Sequence, residues 1–365
     1  MTTERDARVV LAGGGTGGHI IPALAIADAL AQRGTHVRFV GTEDRIEARL
    51  VPQAGYGIDF IRARPLAGGG VRRKITGVFR APITVVQCMG LLRRLAPDAV
   101  VGVGGYVAGP VVLAARLMGI RTGVLEQNAT LGMSNRLLTR VVHRAWVSYA
   151  ETIDDFPAGR AEHTGNPVKA AILAAAAQPP EPAEDERVRI LVMGGSQGAS
   201  AIDERVPAAL SSERLASRVR VLHQGKADAL SAVQARYDAA GIPATTAAFI
   251  EDMAAALHRT DLVICRSGAT TVAELTVMGL PAVFLPYPHH ADRQQEKNAA
   301  PMRDAGAALV VDEKTTGIAE LEAAIATLVC DPERRAAAAS AAKSLGKPDA
   351  AEVIATRILQ LTGRH

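Results

Sequence analysis

The first residues able to do chemistry lie on one turn near the amino end. An apolar run, Val9-Val10-Leu11-Ala12, leads into Gly13-Gly14-Gly15-Thr16-Gly17-Gly18-His19. Glycines carry no Cβ, so such a turn lets a ligand approach the backbone closely. The N–H groups that open the following helix favour an anion, typically a phosphate. Thr16 adds a hydroxyl for an anion or a sugar, and His19 adds a base that titrates near neutral pH. Formally the turn satisfies G-x-G-x-x-G at Gly13, Gly15 and Gly18. A dinucleotide site would also want an acid closing the second strand, about 20 residues on. Here the second apolar run is 37–40, and Glu43 arrives only after its turn. No Gly-Lys-Ser/Thr follows, which excludes a P-loop. Nucleotide binding is the expected role, a nicotinamide site the runner-up, and a plain tight connection the simplest alternative.

Other polar loops follow apolar runs in the same way. Gly104-Gly105-Tyr106 brings a phenol to a close-approach turn, and Glu126-Gln127-Asn128 sets three polar residues in a row. In the second half, Gly194-Gly195-Ser196-Gln197-Gly198 echoes the opening turn. Arg266-Ser267-Gly268 then leads into Ala269-Thr270-Thr271-Val272-Ala273-Glu274, a turn and helix start suited to an anion. Glu274, a turn further in, has the reach to accept two hydrogen bonds from a ribose diol. On the local pattern alone it reads as an ordinary exposed helix glutamate. His289, His290 and Asp292 hint at metal, but neighbouring side chains in one loop rarely complete a site, so no metal is expected. Gln294 and Gln295 each offer a donor and an acceptor to a sugar hydroxyl or acetamide.

These loops need a scaffold that ends strands beside one another. Apolar runs at 8–12, 37–40, 58–61, 99–103, 122–125 and 144–147 alternate with helical periodicity at 23–33, 82–95 and 109–118. After the proline-rich acidic stretch 178–186 the pattern restarts, with runs at 189–193, 219–223, 246–250, 262–265, 282–285 and 308–311. Alternation of this kind predicts parallel sheets covered on both faces, hence an α/β chain of two doubly wound, Rossmann-like halves. The hinge falls near Gly165-Asn166-Pro167, giving domains at 1–165 and 166–340 and a closing segment at 341–365. Ligands in such sheets bind outside the carboxyl ends of the strands, so two facing halves would share a cleft. The stretch 350–361 reads as an amphipathic helix.

The totals narrow the class. In 365 residues the hydrophobic share is 48% but aromatics are only 3%, so Ala, Val and Leu must fill the cores. The polar amino end lacks a signal-peptide core, and no apolar run has the length of a membrane span. Cys88, Cys265 and Cys330 are too few and too scattered for a disulfide framework or a zinc site. A cytoplasmic protein is expected. Net charge is +4, yet residues 1–165 hold 20 Lys/Arg against 13 Asp/Glu. Eight of those basic residues lie in 60–97 without one acid: Arg62, Arg64, Arg72, Arg73, Lys74, Arg80, Arg93 and Arg94. Basic residues flanking an apolar helix suit an anionic bilayer surface. Nucleic acid is not expected, because no base-stacking pattern of aromatics accompanies the charge. A core helix with a solvated edge is the alternative.

Taken together, the motifs resemble one family. Gly13 to His19 followed by Ile20-Ile21-Pro22, Gly104-Gly105-Tyr106, Glu126-Gln127-Asn128, Gly165-Asn166-Pro167-Val168, Gly194 to Gly198, Phe249-Ile250-Glu251-Asp252-Met253, Arg266-Ser267-Gly268 and Asp292 to Gln295 occur in its order. The chain is similar, over nearly its whole length, to the MurG-type N-acetylglucosaminyltransferases of glycosyltransferase family 28. The resemblance implies a GT-B fold and inverting transfer from UDP-N-acetylglucosamine to the C4 hydroxyl of the muramoyl sugar of lipid I, an undecaprenyl diphosphate. It implies a donor held mainly by the second domain and a lipid acceptor by the first, with the last helix crossing back to the first. It also implies work at the cytoplasmic face of the cell membrane as a peripheral protein, beside other cell-wall synthesis proteins.

Residue by residue, the resemblance makes Thr16, Gly17, Gly18, Asn128, Ser196, Ile250, Ala269, Thr270, Thr271, Val272, Ala273, Glu274 and Gln294 donor-site positions, with Tyr106, Lys169, Arg266 and Gln295 as further substrate contacts. Ile250 would hold the uracil through its backbone, and Gln294 and Gln295 the amino sugar. His19 is the expected general base and Glu274 the second catalytic-site position, on the ribose. Neither metal nor cofactor is needed if backbone dipoles neutralise the leaving UDP. Two departures stand out. Lys169 replaces the usual arginine, turning a bidentate contact into a point charge, and Leu125 stands where several members have histidine. Another GT-B UDP-sugar enzyme, either a glycolipid glycosyltransferase or a UDP-N-acetylglucosamine epimerase, is the alternative.

Overall fold

The computed structural model describes residues 6–61, 71–182, 185–194, 199–288 and 292–363, with side chains of 71–81 left aside. The chain divides into two compact units, Met1–Lys169 with Pro348–His365, and Ala170–Lys347.

The first unit runs β1 (Arg8–Gly13), α1 (Gly17–Ala31), β2 (His36–Gly41), α2 (Glu47–Gln53), β3 (Gly57–Phe60), α3 (Val71–Leu95), β4 (Ala99–Gly104), α4 (Gly105–Leu117), β5 (Arg121–Glu126), α5 (Met133–Leu138), β6 (Arg144–Val147) and β7 (Ala161–His163). Its sheet has the order β3-β2-β1-β4-β5-β6-β7, and every pairing is parallel. The second unit runs α6 (Ala170–Ala176), β8 (Val188–Met193), α7 (Ser200–Leu210), β9 (Val219–Gln224), α8 (Leu230–Ala239), β10 (Ala244–Ala247), α9 (Met253–His258), β11 (Leu262–Cys265), α10 (Ala269–Met278), β12 (Ala282–Phe284), α11 (Gln294–Asp304), β13 (Ala308–Val310), α12 (Ile318–Val329) and α13 (Pro332–Ser344). Its sheet order is β10-β9-β8-β11-β12-β13, again all parallel. Strand order therefore reverses between β1 and β4 in one sheet and between β8 and β11 in the other, which are the crevices where such sheets take ligands.

The central strands are buried on both faces, as their unbroken apolar runs demand. Three helices begin earlier than periodicity predicts. α1 starts at Gly17 rather than residue 23, α3 at Val71 rather than 82, and α4 at Gly105 rather than 109. Glycine reads as loop, but the first turn of a helix has no intrahelical partner for its N–H groups and tolerates Gly17, Gly18 and Gly105, while Pro22, Pro82 and Pro110 lie inside their helices. His19 therefore sits on a helix, not on a loop. β10 lies at 244–247 rather than 246–250, because pairing of Ala244 to Val221 and Ala247 to Gln224 fixes its register. Ile250 falls in the loop beyond it.

One face of the first sheet packs against α1 and the last helix, α14 (Ala350–Thr362). Ala351, Ile354, Ala355 and Ile358 recur at helical spacing and are buried there with Trp146. Gly123 makes room for that indole, since a Cβ would meet its ring at 2.5 Å. Val107, Val111, Leu92 and Leu138 from α3, α4 and α5 cover the other face. No helix among the described residues is long and apolar enough to cross a membrane.

Ile354 and Ile358 are both fully buried. Ile354→Ala and Ile358→Ala should each lower unfolding free energy by about 2–5 kcal/mol, transfer and cavity terms together. Urea titration followed by the fluorescence of Trp146 reads this unit directly, and a loss below about 1 kcal/mol would show that α14 is not part of its core.

Candidate functional site

At the first crevice two glycine turns touch through their backbones. Gly14 N–H donates to the Gly104 carbonyl at 3.3 Å, and a Cβ on Gly13 would meet that same carbonyl oxygen at 2.6 Å. Gly104 has φ +105°, and a side chain there would run into the His19 imidazole. The ring occupies the space that the missing Cβ leaves.

Gln127 sets the state of that ring. Its amide nitrogen donates to the Val103 carbonyl at 2.8 Å, so its oxygen faces His19 Nδ1 at 3.2 Å. An amide oxygen accepts only, which places the imidazole hydrogen on Nδ1 and leaves Nε2 as the basic nitrogen. Burial holds the His19 pKa below its ordinary value; the Glu126 carboxylate, the Gln127 hydrogen bond and the Glu47 carboxylate pull against it. The ring is thus neutral at neutral pH, with one lone pair able to take a proton.

Glu47 carries a role that no sequence pattern signalled. It is fully buried at the start of α2, where the helix dipole favours an acid. Its carboxylate accepts from Gly15 N–H at 2.8 Å, Thr42 N–H at 3.2 Å and Thr42 Oγ1 at 2.9 Å. The Gly15 N–H of the first glycine turn is therefore engaged by the protein itself. Thr16 is exposed at the helix N-cap and makes no side-chain cap. Gly17 and Gly18 form the first helical turn behind it.

Asn128 and Tyr106 frame the same crevice. Glu126, 2% exposed, accepts from Asn128 N–H at 3.1 Å, Asn128 Nδ2 at 3.3 Å, Gly132 N–H at 2.9 Å and Asn135 Nδ2 at 2.9 Å. Its work is to shape the loop that carries Asn128. Tyr106 Oη lies 3.4 Å from Thr42 Oγ1, which joins it to the Glu47 cluster. Leu125 is core. Lys169 is exposed at the end of the unit's first segment.

In the second unit the end of β11 and the start of α10 and α11 are tied into one corner. Ser267 is fully buried; its Oγ donates to the Gln295 carbonyl at 2.8 Å, and its own carbonyl accepts from Asn298 Nδ2 at 3.2 Å. The open end of α10 presents Ala269, Thr270 and Thr271, whose N–H groups precede the first intrahelical bond. That bond is Val272 N–H to the Gly268 carbonyl at 2.9 Å. Val272 is 6% exposed and packs inward. Ala273 and Glu274 occupy the second turn, half-buried. The Glu274 carboxylate adds to burial in pushing the Cys265 thiol pKa up, which sets it close to the end of β11.

Arg266 and Gln295 are engaged with the protein. Arg266 Nη1 donates to the Leu285 carbonyl at 2.7 Å and the Pro286 carbonyl at 3.1 Å, pairs with Glu313, and lies 5.7 Å over the Tyr287 ring. It holds the loop after β12 rather than reaching outward. Gln295 Oε1 accepts from Tyr287 N–H at 2.8 Å, leaving its amide nitrogen as a donor. Gln294 opens α11 with its N–H on Asp292 Oδ1 at 3.3 Å. Ile250 is half-buried in the loop before α9. Ser196, His289 and His290 lie outside the described residues.

A further buried network escaped sequence reading. His223 Nδ1 meets Tyr237 Oη at 2.9 Å and His223 Nε2 meets Asp203 Oδ1 at 3.2 Å, while Asp203 Oδ2 accepts Lys226 N–H at 3.1 Å. It joins β9 to α7 and α8. Asp203 opens the charged run Asp203-Glu204-Arg205 and His223 lies near the end of a strand beside Gln224, so no pattern pairs them.

Comparison with known proteins adds relatives of full length. The glycosyltransferase family 28 N-terminal domain matches residues 9–147, and the family 28 C-terminal domain residues 189–354. A UDP-N-acetylglucosamine–N-acetylmuramyl-(pentapeptide) pyrophosphoryl-undecaprenol N-acetylglucosamine transferase from Anaeromyxobacter dehalogenans is 42% identical over 98% of this chain and 94% of its own. The crystal structure of Acinetobacter baumannii MurG superposes with a TM-score of 0.81 at 33% identity, covering 97% of this chain and 99% of that one. A UDP-GlcNAc 2-epimerase from Neisseria meningitidis shares the fold at 13% identity, with a TM-score of 0.69 over 97% of this chain and 100% of its own.

The Gln127 geometry makes a spectroscopic prediction. In 15N-resolved NMR at neutral pH, His19 should show a hydrogen on Nδ1 and a bare Nε2. It should take its second proton only below the ordinary histidine range near 6.5. A hydrogen on Nε2, or titration above that range, would contradict the assignment.

Proposed function

The chain belongs to glycosyltransferase family 28, and we propose that it moves N-acetylglucosamine from UDP-N-acetylglucosamine to the C4 hydroxyl of the muramoyl sugar of lipid I, with inversion at the anomeric carbon. It is a GT-B enzyme, and the likeness of whole chains at 42% identity supports this substrate pair. The observation that carries the chemistry is the bare Nε2 of His19, fixed by Gln127 at the first crevice.

In this reading His19 Nε2 accepts the proton of the attacking hydroxyl while the new bond forms from that oxygen to the anomeric carbon. The bond from the anomeric carbon to the diphosphate breaks, and UDP departs with the electron pair. Negative charge growing on the diphosphate is met by the N-terminus of α10, at Ala269, Thr270 and Thr271. Glu274 accepts from the ribose hydroxyls, the backbone at Ile250 faces the uracil, and Gln294 with the Gln295 amide nitrogen reads the amino sugar. Ser196, Thr16, Gly17, Gly18 and Asn128 complete the donor contacts, and Lys169 contributes a point charge. Arg266 acts at one remove, by holding the loop that α11 follows.

The lipid acceptor places the enzyme at the cytoplasmic face of the membrane. Support comes from apolar side chains on the first unit: Ile83 and Val86 on α3 are 59% and 66% exposed, and Leu117 on α4 is 65% exposed. Ile83 and Val86 lie within the basic, acid-free stretch that includes Arg93 and Arg94. Arg62 and Arg64, and the side chains of Arg72, Arg73, Lys74 and Arg80, lie outside what is described.

Purified protein given labelled UDP-N-acetylglucosamine should release UDP only when a lipid I analogue is present. Turnover without acceptor would instead indicate an epimerase. His19→Ala should lower kcat by about 10²–10⁴-fold, the usual worth of a general base, with UDP binding retained. Since the His19 pKa is lowered, the acid limb of wild-type kcat/KM should lie below about 6.5. Near-normal turnover by the variant would remove His19 from the mechanism.

A further inference from the structure

At the opposite end of the first sheet from His19, the amino ends of β5, β6 and β7 border a cavity of about 590 Å³. A second of about 350 Å³ adjoins it and shares Arg121, Arg144 and Arg160. Arg116 lines the smaller one and Arg357 the larger. These volumes match sites for small ligands.

The charge there is one-sided. Glu162 is the carboxylate on the lining, and Arg357 already holds both its oxygens at 2.8 Å. Among the described residues no carboxylate pairs with Arg116, Arg121, Arg144 or Arg160. Three of these guanidinium groups are nevertheless anchored by carbonyls. Arg116 Nε donates to Val141 at 3.1 Å, Arg144 Nη1 to Gly159 at 2.6 Å, and Arg160 Nη1 to Arg140 at 3.0 Å and Val142 at 3.1 Å. Each guanidinium has five N–H groups, so most of its donors remain for something else. His143 lies among them with its Nδ1 accepting Thr122 N–H at 3.0 Å, which leaves the hydrogen on Nε2. Its pKa is held down by burial and then by Arg116, Arg121 and Arg160, the mark of a positive field with no local counter-charge.

Anchored guanidinium forks aimed around one cavity suit the paired oxygens of a phosphate. We propose that this cavity binds a phosphate-bearing anion of diphosphate size, on the side of the first unit away from His19. The phosphate has two possible carriers, a soluble ester or a lipid headgroup, and both present the same oxygens.

The test uses the full chain with UDP at saturation, so that the donor site is filled, and inorganic diphosphate as probe by calorimetry. Arg121→Gln/Arg144→Gln alters two exposed side chains, and an unchanged thermal midpoint without ligand will show that it folds. Diphosphate should bind wild type despite UDP, with affinity falling by roughly tenfold or more in the double variant and on raising salt. In a second arm, vesicles containing phosphatidylglycerol are compared with phosphatidylcholine alone. Selective loss of vesicle retention in the double variant, without diphosphate binding to wild type, assigns the site to a headgroup. Equal diphosphate affinity and equal vesicle retention in the two proteins would overturn the proposal, as would diphosphate binding that UDP abolishes.

Discussion

An imidazole fits between β1 and β4 because Gly104 has no side chain to stand in its place. Everything at that crevice follows from the vacancy. The ring needs a partner that orders it without protonating it, and Gln127 is itself fixed by the Val103 carbonyl. The two glycine turns can lie against each other only with backbone at the contact, and Glu47 then takes up the Gly15 N–H that this arrangement strands. Buried donors and acceptors must be matched, so one glycine, one amide and one carboxylate form a single constraint. Loss of Glu47 would strand the Gly15 and Thr42 donors together.

The second unit solves a different problem with the same materials. A helix N-terminus must stand open toward solvent while the strands behind it stay packed. Ser267, Asn298 and Gln295 stitch the starts of α10 and α11 together through main-chain carbonyls and amides. Arg266 fastens the neighbouring loop to Glu313 and to two carbonyls. The polar residues nearest the open helix end are therefore spent on shape. What the corner offers a ligand is main-chain N–H at the start of α10 and the amide nitrogen of Gln295.

Sequence reading succeeded where burial alone decides conformation. β1, β4, β8 and β11 are buried on both faces, and an apolar run between glycines admits few other structures. It failed where a partner strand decides. β7 is three residues of mixed polarity, and β10 took its register from β9. Helix starts slipped at Gly17 and Gly105 because first-turn glycines carry no helical signature. In the site, His19 was legible from its place in the glycine turn, whereas Glu47 was not, since nothing in its neighbours marks a carboxylate that folding will bury. Arg266 was visible as a residue, whereas the two carbonyls and the Glu313 carboxylate that hold its Nη1 are brought to it only by folding. Lys169, exposed and touching none of the clusters described, shows why a motif position alone gives no geometry.

Gln127 sets the basic nitrogen of His19, and removing its amide oxygen is the sharpest check. Steady-state transfer to a lipid I analogue should be followed across pH for Gln127→Leu, which keeps side-chain bulk and removes the acceptor. Its kcat should fall between about tenfold and 10⁴-fold, the span seen when an orienting partner is lost, while UDP affinity is unchanged. A variant that turns over within about twofold of wild type, with the same acid limb, would contradict it.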